Sequence, residues 1–156
     1  GGDDICSDKA ALKAEGVTHI VNCTTRTPNF YHDDFAYLRI PLGDHPSEDI
    51  SGWFGATNAH IEAARRTGGA CLVHCNAGMS RSVALVLAYL MRYEKMSLLA
   101  AFELCKAKRP QSSPNIGFMA QLLVYEQQLF NRITLDKEKY EFDRFARAET
   151  LVIEAS

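Results

Sequence analysis

The chain has 156 residues, of which 47% are apolar, and it carries a formal net charge of −2 at pH 7. That length and apolar content suit one globular domain with a sizeable core and exclude a disordered chain. The even charge balance gives no general affinity for nucleic acid or membrane, so any attraction for phosphate must be local. Five cysteines, without a paired zinc-ligand spacing, indicate a reducing compartment, cytoplasm or nucleus, rather than a disulfide scaffold.

Helices and strands are predicted to alternate along the first 130 residues. In chain order they are a helix over 8–15 capped by Ser7, strands over 17–23 and 35–42, a helix over 50–67, a strand over 70–73, and helices over 83–91, 98–108 and 116–130, the last two capped by Ser97 and Asn115. This alternation predicts an α/β fold, a mostly parallel central sheet with helices on both faces. Residues 131–156 form a charged extension, for which a packed helix and a solvated tail both stay open.

The most informative stretch joins the strand over 70–73 to the apolar helix over 83–91. Backbone N–H groups at a helix N-terminus lack partners and the helix dipole is positive there, so this loop is a ready anion site. Cys75 lies in the loop, where the dipole and nearby cations lower the pKa of a thiol, which predicts a nucleophile. Arg81 follows six residues later, with a planar fork that can bind two oxygens of a phosphate.

Three neighbours of this pair strengthen the prediction of a phosphate monoester hydrolase. Gly78 allows a tight turn close to a bound group, Ser82 offers a hydroxyl to the thiolate, and the imidazole of His74 can fix nearby backbone groups. A single cysteine before an apolar helix is usually just a small buried hydrophobe. The presence of all these residue types together argues against that alternative.

The loop resembles the signature of the cysteine-dependent protein tyrosine phosphatases, His-Cys-x-x-Gly-x-x-Arg followed by Ser. It reads, from Val73 to Ser82, Val-His-Cys-Asn-Ala-Gly-Met-Ser-Arg-Ser. A second stretch, from Arg109 to Phe118 with Gln121 and Leu122 behind it, is similar to the dual-specificity branch. The resemblance covers roughly residues 7–130. It implies a protein tyrosine phosphatase-like fold and hydrolysis of phosphotyrosine and phosphoserine or phosphothreonine in proteins, without a metal or other cofactor.

A general acid is expected in the loop over 43–49, because the leaving oxygen of the substrate needs a proton. The residues alone offer three candidates, Asp44, Glu48 and Asp49. Asp49 also suits the opening of the next helix, where a negative charge is favourable without any catalytic role. The resemblance favours Asp44, because the family's general acid follows the corresponding strand.

The resemblance also assigns roles to the remaining site residues. Cys75 is the nucleophile of a cysteinyl-phosphate mechanism, Ser82 stabilises the departing thiolate, and Asn115 supports the loop. The phosphate oxygens are held by Arg81 and by the loop N–H groups of Asn76, Ala77, Gly78, Met79, Ser80 and Arg81. Phosphoinositide phosphatases of the same superfamily carry lysine in this loop, whereas positions 76, 77 and 79 here are uncharged. The resemblance therefore favours a phosphoprotein over a phosphoinositide. A MAP kinase is a family-level expectation for that phosphoprotein.

Two alternatives and one redox hypothesis remain. A catalytically silent module that binds phosphoproteins would most simply lack the Cys, Arg or acid, and all three are present. A phosphatase of RNA 5′ ends or of glucan would need a basic groove or a carbohydrate module, which the charge balance and length do not favour.

Because low-pKa cysteines are oxidised readily, mild peroxide is expected to link Cys75 to Cys71 or Cys23.

Overall fold

The fold is described from a computed structural model, which defines residues 8–76 and 79–145. Within these ranges the helices and strands follow each other in the predicted order. They are α1 (Lys9–Ala14), β1 (Val17–Asn22), β2 (Ala36–Arg39), a 3₁₀ turn (Ser51–Trp53), α2 (Phe54–Arg66), β3 (Ala70–His74), α3 (Arg81–Tyr93), α4 (Leu98–Lys108), α5 (Ile116–Phe130) and α6 (137–145).

The three strands of the described chain form a parallel sheet in the order β2-β1-β3. β1 pairs with β2 through His19 opposite Ala36, and with β3 through Asn22 opposite His74. Because all three strands run in the same direction, the loops that follow them leave from one edge of the sheet. The loop with Cys75 and the loop with Asp44 therefore begin at the same edge.

Helices pack on both faces of this sheet, as predicted. Successive side chains of a strand point to opposite faces, and β1 buries both Ile20 and Val21 completely. Ile20 packs with Leu12 of α1 and with Phe35 in a small cluster. Val21 belongs to the main core, which α2 to α5 build on the other face. The prediction of an α/β fold with a parallel sheet between helices is confirmed.

The central helix α3 is apolar almost all round because other elements surround it. It packs against β3, α2, α4 and α5, and Leu85, Leu87, Ala88 and Met91 are fully buried. The helix is two residues longer at each end than predicted. Its N-terminus at Arg81 consequently lies directly at the end of the loop that follows β3.

Two of the three predicted helix caps are correct. The Ser97 hydroxyl accepts from the Ala100 N–H at 3.1 Å, and the Asn115 side chain accepts from the Phe118 N–H at 2.9 Å. The prediction for the first helix was wrong, because Asp8 rather than Ser7 is its cap. The Asp8 carboxylate accepts from Ala11 N–H at 3.0 Å, so the helix begins one residue later than expected.

The segment after α5 is held to the domain by a buried carboxylate. Asn131 ends α5 in a left-handed conformation. The carboxylate of Glu126, which is fully buried, accepts hydrogen bonds from the Leu98 N–H and from both the N–H and the hydroxyl of Thr134. Asp136 then caps α6 by accepting from N–H groups of its first turn. Among the helices that the structure describes, none has the length and apolar character needed to cross a membrane.

Candidate active site

Cys75 lies between the end of β3 and the start of α3, with only 1% of its surface exposed. Its sulfur is 3.3 Å from the hydroxyl oxygen of Ser82, the second residue of α3. A hydroxyl at this distance can donate a hydrogen bond to a thiolate. The structure therefore brings together the two residues that the sequence predicted as nucleophile and thiolate partner.

Arg81 is the first residue of α3 and is buried, with 8% of its surface exposed. Its Nη1 donates to the Leu42 carbonyl at 2.9 Å, which ties the start of α3 to the segment before Asp44. Its Nε lies buried without a hydrogen-bond partner in the part of the chain that the structure describes. Buried polar donors without partners are rare in proteins, so this N–H is well suited to an oxygen of a bound ligand.

His74 anchors the start of the loop to the neighbouring strand. The residue is buried, and its carbonyl accepts from both the N–H and the thiol of Cys23, at 3.0 and 2.9 Å. These bonds extend the pairing of β1 with β3 by one residue. The backbone that leads into Cys75 is thereby fixed on the sheet.

The three candidate acids have different surroundings. Asp44 is exposed, and one of its carboxylate oxygens accepts from the side-chain amide of Asn115 at 2.9 Å. Glu48 turns back and accepts from the Gly43 N–H at 3.2 Å. Asp49 accepts from the hydroxyl of Ser51 and the N–H of Gly52, and these hydrogen bonds lower its pKa. Asp49 thus opens the 3₁₀ turn, and Asp44 is the candidate that contacts another predicted site residue.

The loop over 43–49, called the acid loop below, packs on α5 through two residues of the stretch that begins at Arg109. The Gln121 amide accepts from the N–H groups of Ile50 and Ser51, both at 2.9 Å, and donates to the Glu48 carbonyl. Gly117 approaches the loop so closely that a Cβ there would lie 1.9 Å from the Pro46 carbonyl oxygen. The position of the acid loop therefore depends on a glycine at 117 and a long amide at 121.

The loop over 76–81, called the phosphate loop below, is held by hydrogen bonds from residues far away in the sequence. Ala77 and Gly78 lie outside the described residues. On one side, the Asn76 side chain accepts from the Thr27 hydroxyl at 3.3 Å. On the other side, the Met79 carbonyl accepts from the Ser113 N–H at 2.7 Å, and the Ser80 hydroxyl accepts from the Asn115 N–H at 2.8 Å.

Sequence reasoning missed the supporting residues of this loop. Thr27 and Ser113 hold it through bonds of their own, and neither was singled out from the sequence. Ser113 did lie inside the second recognised stretch, so its place there was the available signal. No residue type in the β1–β2 loop would have pointed to Thr27.

The two other cysteines of the sheet differ in their relation to Cys75. A hydrogen bond with Cys75, together with burial, raises the pKa of Cys23 well above its ordinary value. Burial raises the pKa of Cys71 to about 12. Cys71 lies four residues before Cys75, a span of about 13 Å along an extended strand. A disulfide needs Cα atoms within about 7 Å, so the expected link to Cys71 is ruled out and only Cys23 stays a candidate.

Comparison with known proteins identifies the family. The family model described as "Dual specificity phosphatase, catalytic domain" matches residues 2–128. The chain belongs to the dual specificity phosphatase family. This phosphatase domain is 43% identical to human dual specificity protein phosphatase 14 over 135 residues, which cover 86% of this chain and 68% of that protein. It is 40% identical to rat dual specificity protein phosphatase 18 over 129 residues, 83% of this chain and 63% of that protein.

Solved structures agree with this family. The domain superimposes on human DUSP28 with a TM-score of 0.79 and 42% identity, covering 83% of this chain and 90% of that chain. It superimposes equally well, with 43% identity, on a mouse putative dual specificity phosphatase complexed with zinc tungstate, covering 83% and 81% of the two chains. The fold and the predicted family are confirmed, and the chain is a protein phosphatase of the protein tyrosine phosphatase type. The comparisons give no support to a silent binding module.

Proposed function

We propose that this domain removes phosphate from phosphotyrosine and phosphoserine or phosphothreonine in proteins through a cysteinyl-phosphate on Cys75. The observation that carries the proposal is the surroundings of Cys75. The thiol is buried in the loop that leads into α3, beside the Ser82 hydroxyl, and Arg81 at the start of α3 has a buried Nε without a partner within the described chain. Such a site offers a nucleophile and a cation to one tetrahedral anion.

In the first step the Cys75 thiolate attacks phosphorus. A sulfur–phosphorus bond forms and the phosphorus–oxygen bond to the substrate side chain breaks. Arg81 and the backbone N–H groups of the loop over 76–81 stabilise the charge that spreads over the equatorial oxygens. Asp44 gives its proton to the leaving oxygen, which departs as a neutral hydroxyl.

In the second step water cleaves the cysteinyl-phosphate. Asp44, now a carboxylate, takes a proton from the water as its oxygen attacks phosphorus. The sulfur–phosphorus bond breaks and Cys75 leaves as a thiolate. Ser82 supports this step by donating a hydrogen bond to the sulfur at the observed separation of 3.3 Å.

Two observations support phosphate in a protein as the substrate, and a third supports binding of a phosphate-like anion. The loop side chains at 76, 77 and 79 carry no charge that would meet additional phosphates. Met79, which is 39% exposed at the loop, offers an apolar surface to a peptide. The mouse relative was solved with tungstate, which is a tetrahedral oxyanion like phosphate.

We propose a MAP kinase as one class of substrate. The domain is 44% identical over 131 residues to a Dictyostelium discoideum protein named MAP kinase phosphatase with leucine-rich repeats protein 3. Those residues make up 83% of this chain but 15% of that protein.

Within the described residues, the cysteines at 23, 71, 75 and 105 form no disulfide. This supports a reducing compartment, for which we propose the cytoplasm or nucleus.

The proposed function is tested with a panel of phosphorylated substrates in EDTA. The panel holds phosphotyrosine, phosphothreonine and doubly phosphorylated peptides, a phosphoinositide and a 5′-phosphorylated RNA. We expect release of phosphate from the peptides by the intact protein and by Cys71→Ser, but not by Cys75→Ser. Cys71→Ser is the matched control, because it removes a thiol from β3, the strand that leads into the loop, and leaves the loop itself unchanged. Preferential turnover of the lipid or the RNA would overturn the proposed substrate class.

A further inference from the structure

The family model ends at residue 128, yet the structure continues into α6, which packs beside the candidate active site. The linker before α6 is fixed by the hydrogen bonds of Thr134 to the Glu126 carboxylate. Leu135 in the same linker is buried, with 8% of its surface exposed. The aromatic ring of Tyr140 on α6 meets Phe102 of α4 edge to face, with 5.5 Å between ring centres. These contacts show α6 packed against the domain rather than extending into solvent.

Two side chains of α6 bind the short loop over 112–115. The Tyr140 hydroxyl donates to the Pro114 carbonyl at 2.5 Å, in a buried position. The Arg144 Nε donates to the Ser113 hydroxyl at 2.9 Å. Residues 112–114 lie outside the helices and strands, and Asn115 is joined to α5 through its carbonyl and its side chain, so contacts of this kind determine where residues 112–114 lie.

The opposite side of the same loop faces the site. The Ser113 N–H donates to the Met79 carbonyl, and the Asn115 N–H donates to the Ser80 hydroxyl. The Asn115 amide reaches Asp44. The loop over 112–115 is therefore held between α6 on one side and the phosphate loop with the acid on the other.

We propose that Tyr140 and Arg144 are positioning residues for catalysis, which act through the 112–115 loop on Asn115 and hence on Asp44. The proposal rests on the proposed function, because it assigns Asp44 the role of general acid. Loss of the Tyr140 hydroxyl would leave the buried Pro114 carbonyl without this donor, and the loop would relax to recover a partner. Asn115 follows Pro114 directly, so a shift of the Pro114 backbone would tilt the capping side chain and weaken its hydrogen bond to the Asp44 carboxylate.

The test compares two aryl phosphates that differ in their need for a proton. Phenyl phosphate has a poor leaving group that requires protonation, whereas the dinitrophenolate of dinitrophenyl phosphate departs without it. For Tyr140→Phe and Arg144→Gln we expect kcat/KM on phenyl phosphate to fall about fivefold, as for a lost hydrogen bond, and to change little on dinitrophenyl phosphate. Phe142→Ala is the matched control, because that side chain lies on the same helix and is 70% exposed.

A double-mutant cycle isolates the route through the acid. In an Asp44→Asn background, Tyr140→Phe is expected to have no further effect on phenyl phosphate, because the group that it positions is gone. Equal losses on both substrates, or a fall in melting temperature with no change in the ratio of the two rates, would overturn the proposal. If the unaltered protein hydrolyses neither substrate, the proposed function itself fails, and this outcome is distinct from the others.

Discussion

The amide of Asn115 donates from its Nδ2 to Oδ1 of Asp44 at 2.9 Å, which joins the start of α5 to the acid loop. The same side chain caps α5, because its Oδ1 accepts from the Phe118 N–H at 2.9 Å. The cap fixes the orientation of the amide, so its N–H group points to the acid. One residue thus links helix formation to the placement of the candidate general acid.

Asn115→Ala is expected to lower kcat/KM on phenyl phosphate about tenfold, since Asp44 loses its hydrogen-bond partner. Asp44→Asn removes the proton donor itself and is expected to cost about 10²-fold or more. Ser97→Ala is the control for Asn115→Ala, because it removes a cap of the same kind from α4, at a similar cost of about 1 kcal/mol. Equal activity losses in the two cap variants would show that Asn115 acts through stability alone.

Arg81→Lys keeps the positive charge and loses the planar fork, together with the bond from Nη1 to the Leu42 carbonyl. We expect kcat/KM to fall by about 10²-fold or more, with a matching loss of inhibition by inorganic phosphate. Arg92→Lys, on the same helix, is the control, because Arg92 lies over the ring of Tyr93 instead of at the site. Phosphate binding retained at full strength in Arg81→Lys would refute the role of the fork.

Gly117→Ala is expected to destabilise the protein and to displace the acid loop. In an open helix position this change would stabilise the protein by about 1 kcal/mol. Here the new Cβ would lie 1.9 Å from the Pro46 carbonyl oxygen, so we expect a loss of about 1–3 kcal/mol in urea unfolding and reduced turnover of phenyl phosphate. At Gly55 of α2 a Cβ has open space, so Gly55→Ala should be neutral or stabilising. A similar free energy of unfolding for both variants would contradict the close approach at Pro46.

Mild hydrogen peroxide is expected to join Cys75 to Cys23. Peroxide oxidises the Cys75 thiolate to a sulfenic acid, and the Cys23 thiol then displaces its hydroxyl group, giving a disulfide and water. The strand register that pairs Asn22 with His74 brings Cys23 beside Cys75, at the strand spacing of about 4.8 Å. That spacing lies within the range a disulfide requires.

The measurement is peptide mapping after peroxide, followed by recovery of activity with a thiol reductant. We expect a Cys23–Cys75 disulfide and full recovery in the intact protein and in Cys71→Ser. In Cys23→Ser we expect irreversible loss, as Cys75 proceeds to higher oxides. A map with only sulfenic acid or higher oxides on Cys75 of the intact protein would rule the disulfide out.

The parts of the site that lie within one continuous stretch could be predicted from the sequence. The loop over 74–82 carries the nucleophile, the guanidinium and the hydroxyl in fixed order, and its flanking strand and helix set its direction. The residues alone do not single out the acid, because three carboxylates lie within 43–49. The hydrogen bond from Asn115 to Asp44 spans 71 residues of sequence and separates the candidates only once the chain is folded.

Packing at a distance could not be predicted. The need for glycine at 117 arises from the backbone of Pro46, which no local pattern reveals. Strand alternation correctly places Cys71 and Cys75 on one side but says nothing of the distance along the strand, so the link to Cys71 was a mistaken expectation. The first cap was also wrong, because Ser7 and Asp8 are both good caps and local preference does not separate them.

The cysteinyl-phosphate mechanism is tested most directly by hydrolysis of an aryl phosphate in EDTA, combined with acid quenching to trap the phosphorylated protein. We predict turnover by the intact protein, a phosphate group on Cys75 in the quenched sample, and loss of both in Cys75→Ser. Ser82→Ala should increase the trapped fraction, since the thiolate leaves more slowly. Turnover that persists in Cys75→Ser, or phosphate trapped on another residue, would contradict the cysteinyl-phosphate mechanism.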